Sequence, residues 1–188
     1  MLRFYTNKEL SHRFNINIAK LKRWSREFLP PDPLGGFQSG FPRQYNPDEA
    51  FALYLGGYLV GELKFTIPEA RQILLDLREW LIENRYYYNF GEPLKSGKKP
   101  DHPAEQSQIF IMRMQHRQDV GFGFFYIIRE IILKRKFSDS GRGLMANEER
   151  YTEHLIDPHH NLIPISENLV CRIIYIDDFR NRFLSRLS

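Results

Sequence analysis

Two helix starts standing close together near the N-terminus limit this chain more than any other feature. Thr6 is followed three residues later by Glu9, the spacing of a capping box in which each side chain satisfies the other's free backbone N–H. Asn17 supplies a second cap almost at once, for a helix from Ile18 to about Phe28. Helices this short are unstable alone, so they must pack crosswise on a shared core, expected here from Leu10, Phe14, Ile16 and Leu21. The second helix puts Ile18, Leu21, Trp24 or Ser25, and Phe28 on one side, and Lys20, Lys22, Arg23 and Arg26 on the other. Such a helix-turn-helix presents a cationic face that fits a DNA major groove; a solvated basic face on an ordinary helical hairpin is the alternative.

The charge distribution favours the first reading. The net charge of +4 is small, but residues 1–45 hold eight Lys or Arg against three Asp or Glu, residues 46–90 four against seven, and the remainder fifteen against thirteen. The excess cation therefore sits around the two short helices. A chain of 188 residues with 42% hydrophobic content has room for two cores, and two domains are expected. The single cysteine, Cys171, excludes an intramolecular disulfide and a Cys-rich metal site, which fits a reducing compartment. The longest apolar stretch, residues 122–133, is broken by Arg129 and Glu130 and is too short to cross a bilayer, so a soluble, cytoplasmic protein without membrane partners is expected.

Beyond Phe28, Pro30, Pro31 and Pro33 end the helix, and the glycines that follow predict a loop or short hairpin over residues 29–45 that returns through Phe41, Arg43 and Tyr45, a wing. Arg43 there reads either as a phosphate ligand or as a solvated surface arginine. Asn46-Pro47-Asp48-Glu49 starts a further helix carrying Ala50, Phe51, Leu53, Tyr54 and Tyr58, in which Gly56, Gly57 and Gly61 permit close packing or mark the end. Thr66-Ile67-Pro68-Glu69 is another capping box, opening a helix with Ala70, Ile73, Leu74, Leu77, Trp80 and Leu81 on a wide apolar stripe.

The runs Tyr5-Thr6-Asn7-Lys8-Glu9-Leu10-Ser11, Asn15-Ile16-Asn17-Ile18-Ala19-Lys20-Leu21-Lys22-Arg23-Trp24 and Gly40-Phe41-Pro42-Arg43-Gln44-Tyr45-Asn46-Pro47-Asp48 resemble, in this order, the DNA-binding domain of MerR-type transcriptional regulators. The segment Gly61 to Ala70 is similar to that family's passage between its third and fourth helices. Lys22, Arg23 and Pro42 depart from the family's usual residues. The resemblance covers roughly residues 4–80 and implies an N-terminal all-α winged helix-turn-helix, sequence-specific binding of double-stranded DNA, a symmetric homodimer on a palindromic promoter element, and DNA contacts from Lys20, Lys22, Arg23 and Arg26 with Arg43 of the wing. Arg13 and His12 of the first helix are further candidates for phosphate contact.

Gly91 to Pro103 reads as a linker, which gives a DNA-binding domain over 1–90, a linker over 91–104 and a second domain over 105–188. The second domain is expected to be a small α+β unit. Strands are predicted around Ile109 to Met114 and over Gly121 to Phe137, Tyr151 to Ile156, Leu162 to Ile165 and Leu169 to Ile176, with a helix from Asp177 to Leu187 carrying Phe179, Phe183, Leu184 and Leu187 on one side. This antiparallel-sheet domain would serve dimerisation or signal reception, and Phe122, Phe124, Phe125 and Tyr126 read as its core or as the lining of a pocket for a small-molecule effector. His154, Asp157, His159 and His160 read as a polar turn rather than a metal site, and Cys171 as a buried structural thiol. No catalytic constellation stands out, so no enzyme activity, metal or cofactor is expected. Two other functions compete with the regulator: an architectural DNA-binding factor of the phage excisionase or terminase-small-subunit kind, and an adaptor whose basic face binds an acidic protein.

Overall fold

The computed structural model describes residues 4–32, 42–87, 106–115, 122–139, 144–158 and 170–188. The chain divides into two compact units: Met1–Gly97 together with Arg182–Ser188, and Lys98–Asn181.

The first unit is built from helices α1 (Asn7–Phe14), α2 (Ile18–Phe28), α3 (Pro47–Gly61), α4 (Ile67–Asp76) and α5 (Arg78–Glu83). The capping boxes at Thr6/Glu9 and Thr66/Glu69 form as expected, and Asn46/Glu49 makes another, so these three helices begin where local chemistry says they should. Asn15 sits in the left-handed region (φ 54°) and closes α1: its N–H bonds His12 O (3.2 Å), and the N–H of Ile16 bonds Ser11 O (3.0 Å). Those two bonds are a Schellman motif, with Asn in the position where its short polar side chain tolerates positive φ. Asn17 then caps α2 by accepting from Ala19 N at 2.8 Å, so the turn between the two helices is complete in three residues.

The shared core holds Leu10, Phe14 and Leu21, all nearly inaccessible, while Ile16 is half-buried and Ile18 is exposed. The N-terminal unit is not all-α. β1 (Tyr5–Thr6) and β2 (Gln44–Tyr45) pair antiparallel, Tyr5 opposite Tyr45, so the return from the loop adds to the start of the chain. The tip of the expected wing, residues 33–41, lies outside the described residues, as does the linker at 91–104.

α3 is apolar all round and sits at the centre of the unit, with Ala50, Phe51, Leu53, Leu55 and Leu59 buried. Its glycine pair receives α2 directly. A Cβ on Gly56 would stand 2.5 Å from the Phe28 ring and one on Gly57 2.3 Å from Trp24, whereas one on Gly61, the last residue of α3, would meet nothing within 4 Å. The long helix expected after Thr66 is instead two. α4 closes at Leu77 (φ −84°, ψ −6°) and α5 starts directly after it, and both Leu77 and Leu81 are buried in the core.

The second unit is a four-stranded antiparallel sheet in the order β5-β4-β3-β6, with β3 Gln106–Gln115, β4 Phe122–Asp139, β5 Leu144–Ile156 and β6 Val170–Tyr175. β4 keeps close to its expected bounds, whereas β5 begins well before the expected Tyr151, and the pair changes register between Ile131 and Leu133. The strand expected at Leu162 to Ile165 lies outside the described residues. Period-two alternation places Ile109 and Ile111 of β3, Phe124, Tyr126 and Ile128 of β4 and Ile174 of β6 on one face, where they are buried; Ile131, of the opposite parity, is buried as well. Phe125 belongs to the opposite face from Phe124 and Tyr126, so the aromatic run cannot line one pocket together.

The helix α6 (Ile176–Leu187) follows β6 without a break. Asp177 Oδ2 accepts from the backbone N–H of Ser107 (2.6 Å) at the start of β3. Residues 105–188 were expected to act as one domain, yet Arg182–Ser188 group with the helical unit. There Phe183 is buried and meets the rings of Phe51 (5.1 Å), Tyr54 (5.7 Å) and Phe14 (6.0 Å). Leu184, expected on the apolar side, is exposed.

Candidate nucleic-acid interface

Everything that fixes α2 in place lies on one side of it. Leu21, Trp24 and Ser25 are buried, and Tyr45 reaches in from β2: its hydroxyl donates to Asn7 Oδ1 (2.7 Å) and shares a second hydrogen bond with Ser25 Oγ (2.9 Å). One buried phenol therefore ties the start of α1 to the middle of α2. Burial pushes the Tyr45 hydroxyl above its ordinary pKa. Trp24 packs on Gly57 and stands 6.4 Å from the Phe28 ring, which makes it a core residue rather than a base-stacking one.

The opposite side is cationic. Lys20, Lys22, Arg23 and Arg26 are all exposed, spread over an arc of about 160° at about 100° per residue. Lys20 rests its ammonium over the Trp24 ring at 4.8 Å, an interaction that orders the side chain without neutralising it. A groove of about 530 Å³ runs beside this face, lined by Lys22, Arg26, Asn7, Ser25, Arg43 and Tyr45 among others.

Arg43 is in that groove but its guanidinium is engaged. Nη2 pairs with Glu49 Oε1 at 2.9 Å, Nη1 donates to Pro30 O at 2.9 Å, and the side chain is only 12% exposed. Glu49 meanwhile uses Oε2 to accept from Asn46 N (3.0 Å), so one carboxylate caps α3 and anchors Arg43. With so little of it exposed, Arg43 is not the solvated surface charge that was one of its two sequence readings. It is a clamp between the loop after α2 and the start of α3.

Arg13 also has a structural task. It lines a different groove, about 630 Å³, with Lys8, Glu9, His12 and Arg186, and its Nη1 donates to Leu187 O (2.7 Å) and Arg186 O (3.3 Å). The candidates thus separate into four exposed cations on α2 and two arginines held in place, Arg13 and Arg43. Arg186 was not visible from sequence. Its signal was only a basic residue in the last turn of a C-terminal helix.

In the sheet unit, His154 is exposed and 3.5 Å from Glu130, while His159 and His160 lie outside the described residues. Among the described residues no group of three or more His, Cys, Asp or Glu is placed to hold a metal ion, and no helix is long and apolar enough to cross a membrane. Cys171, expected to be buried, is exposed on β6. No family model, curated protein or solved structure matches the chain.

Proposed function

We propose that this protein is a sequence-specific DNA-binding transcriptional regulator of the cytoplasm, with a MerR-like winged helix-turn-helix as its reading head and a dimer as its working form. One observation carries the reading: α2 is held by Tyr45, Gly56 and Gly57 on one side and turns four exposed, uncommitted-to-core cations outward on the other. A helix of eleven residues anchored in this way keeps its outer face intact when it enters a groove. Lys22, Arg23 and Arg26 then meet phosphates and base edges, and Lys20 a flanking phosphate. Arg43 and Arg13 serve this head by shaping it. Lys22, a point charge where the resembled family has the forked arginine, favours a phosphate contact.

The test is binding of the purified chain to duplex DNA from its own upstream region, over a range of salt and with a footprint. Affinity should fall steeply with salt because each neutralised phosphate releases counterions, and the footprint should show two-fold symmetry. Binding that ignores salt, or survives Lys22→Glu with Arg23→Glu, would remove α2 from the mechanism. Loss of an acidic protein partner in that variant, with DNA affinity unchanged, would mark the chain as an adaptor.

A further inference from the structure

The sheet has a second face, and two adjacent rows of it are apolar. Register places Leu155 of β5, Ile127 of β4, Phe110 of β3 and Ile173 of β6 in a single row across all four strands. Beside it, Phe125, Met112 and Cys171 form a second row, and on the other side run Glu153, Arg129, Gln108 and Tyr175. The residues on the edge strands are open to solvent: Leu155 is 52% exposed, Tyr175 47% and Ile173 36%.

We propose that a second copy of this chain docks on this face, sheet against sheet. The proposal rests on the regulator reading for its purpose, since it names the surface through which two reading heads would be joined. Two properties of the face select that occupant. The first is size. Four strands about 4.8 Å apart, with six residues each rising about 3.3 Å, give roughly 19 by 20 Å in plan, which side-chain relief raises toward the about 800 Å² that each partner buries in a stable interface.

The second is charge. Among the described side chains of these rows the ionic groups are Arg129 and Glu153, and they answer each other at 2.7 Å, with the guanidinium also lying over the rings of Phe110 (4.9 Å) and Tyr151 (4.4 Å). A face that is neutral through an internal pair loses little when an identical neutral face covers it, and a two-fold axis brings apolar row to apolar row. A nucleic-acid strand stacking on the aromatic residues would need cations for its phosphates, and among the described side chains of these three rows the one cation is already paired. Two twisted sheets of this kind pack about 10 Å apart with their strands about 30° from parallel.

Sedimentation of the full chain across the micromolar range tests the proposal, with Leu155→Lys/Ile173→Lys as the comparison. Both sites are open in the single chain, so far-UV circular dichroism should be unchanged; if it is not, Tyr175→Lys makes the same prediction from a third open site. The wild type should self-associate with rising concentration and the variant should show half the apparent mass. Alkylation of Cys171, which lies in the second row, should slow as the wild type associates and stay fast in the variant. A wild type that remains monomeric overturns the proposal, as does a variant that still dimerises, or a dimer whose Cys171 reacts as fast as in the monomer. So does a monomer in which Cys171 is protected by a single-stranded oligonucleotide. A monomer with salt-sensitive duplex binding ends this proposal alone; a dimer without DNA affinity ends the regulator reading alone.

Discussion

Arg13 and Arg186 cap each other's helices. Arg13, in the last turn of α1, donates to Leu187 O and Arg186 O at the end of α6, and Arg186 donates from its Nη1 to Phe14 O (2.8 Å), the last carbonyl of α1. Each guanidinium meets the negative end of the other helix's dipole and satisfies a carbonyl that has no partner within its own helix. Phe183 fills the space beneath, among Phe14, Phe51 and Tyr54.

Replacing either arginine by alanine should lower stability by about 1 kcal/mol, and the two losses should be non-additive because each residue helps to position the other's acceptor. Phe183→Ala should cost more, about 3–5 kcal/mol, as expected for emptying an aromatic site in a packed core. Urea midpoints for the three single variants and the double arginine variant measure all of this.

The glycines of α3 should separate sharply. Gly57→Ala drives a methyl into Trp24 at 2.3 Å and should destabilise the helical unit by about 1–3 kcal/mol, and on the regulator reading it should also weaken DNA binding, because α2 must move to make room. Gly61→Ala meets nothing and should be neutral or stabilising by up to about 1 kcal/mol, with binding unchanged. Thermal melts and a binding titration on the same two variants check the contrast.

High pH should unfold the helical unit in a way that depends on two tyrosines. Burial raises the Tyr45 pKa in the folded state, and burial together with the nearby Asp48 carboxylate raises that of Tyr87. A group whose pKa is higher folded than unfolded stabilises fully below the unfolded value, about 10 here, and that stability is lost as pH climbs through the folded value. Stability should therefore hold to about pH 10 and fall above it, and Tyr45→Phe should flatten part of the fall. The same variant leaves Ser25 without its phenol partner and should cost about 1–2 kcal/mol at neutral pH. Urea unfolding followed as a function of pH reads both effects.

If the chain is the proposed regulator, the salt dependence of its DNA binding should distinguish contact residues from clamps. Lys22→Ala should reduce the slope of log affinity against log salt by about 1, the share of one phosphate contact. Arg43→Ala should leave that slope unchanged and instead lower stability, because it breaks the bonds to Glu49 and Pro30 O. Titrations at several salt concentrations, paired with melts, separate the two.

Helix starts were legible because a cap is a contact over three residues: Thr6 with Glu9, Asn46 with Glu49 and Thr66 with Glu69 needed no knowledge of the rest of the chain. The sheet strands were legible from alternation, though β5 begins before its expected start at Tyr151 because backbone pairing with β4 continues where side-chain pattern has stopped. The basic side of α2 was legible for the same local reason, since Leu21, Trp24 and Ser25 fix which way the cations must turn. The engagement of Arg43 and Arg13 was not, because an arginine's reach of several ångströms lets it choose among carbonyls and carboxylates that only folding brings near.

Neighbouring residues therefore settle the short-range geometry: where helices begin, which side of α2 is cationic, and which residues of β3 and β4 point the same way. Only the packed fold brings Gly56 and Gly57 against Phe28 and Trp24, divides the helix after Thr66 at Leu77, and groups the end of α6 with α1 and α3. The physical reason is distance along the chain. Caps and alternation are settled among neighbours, whereas Arg186 and Phe14 stand 172 residues apart, and no local preference speaks for their meeting until the apolar surfaces of Phe14, Phe51 and Phe183 have left water together.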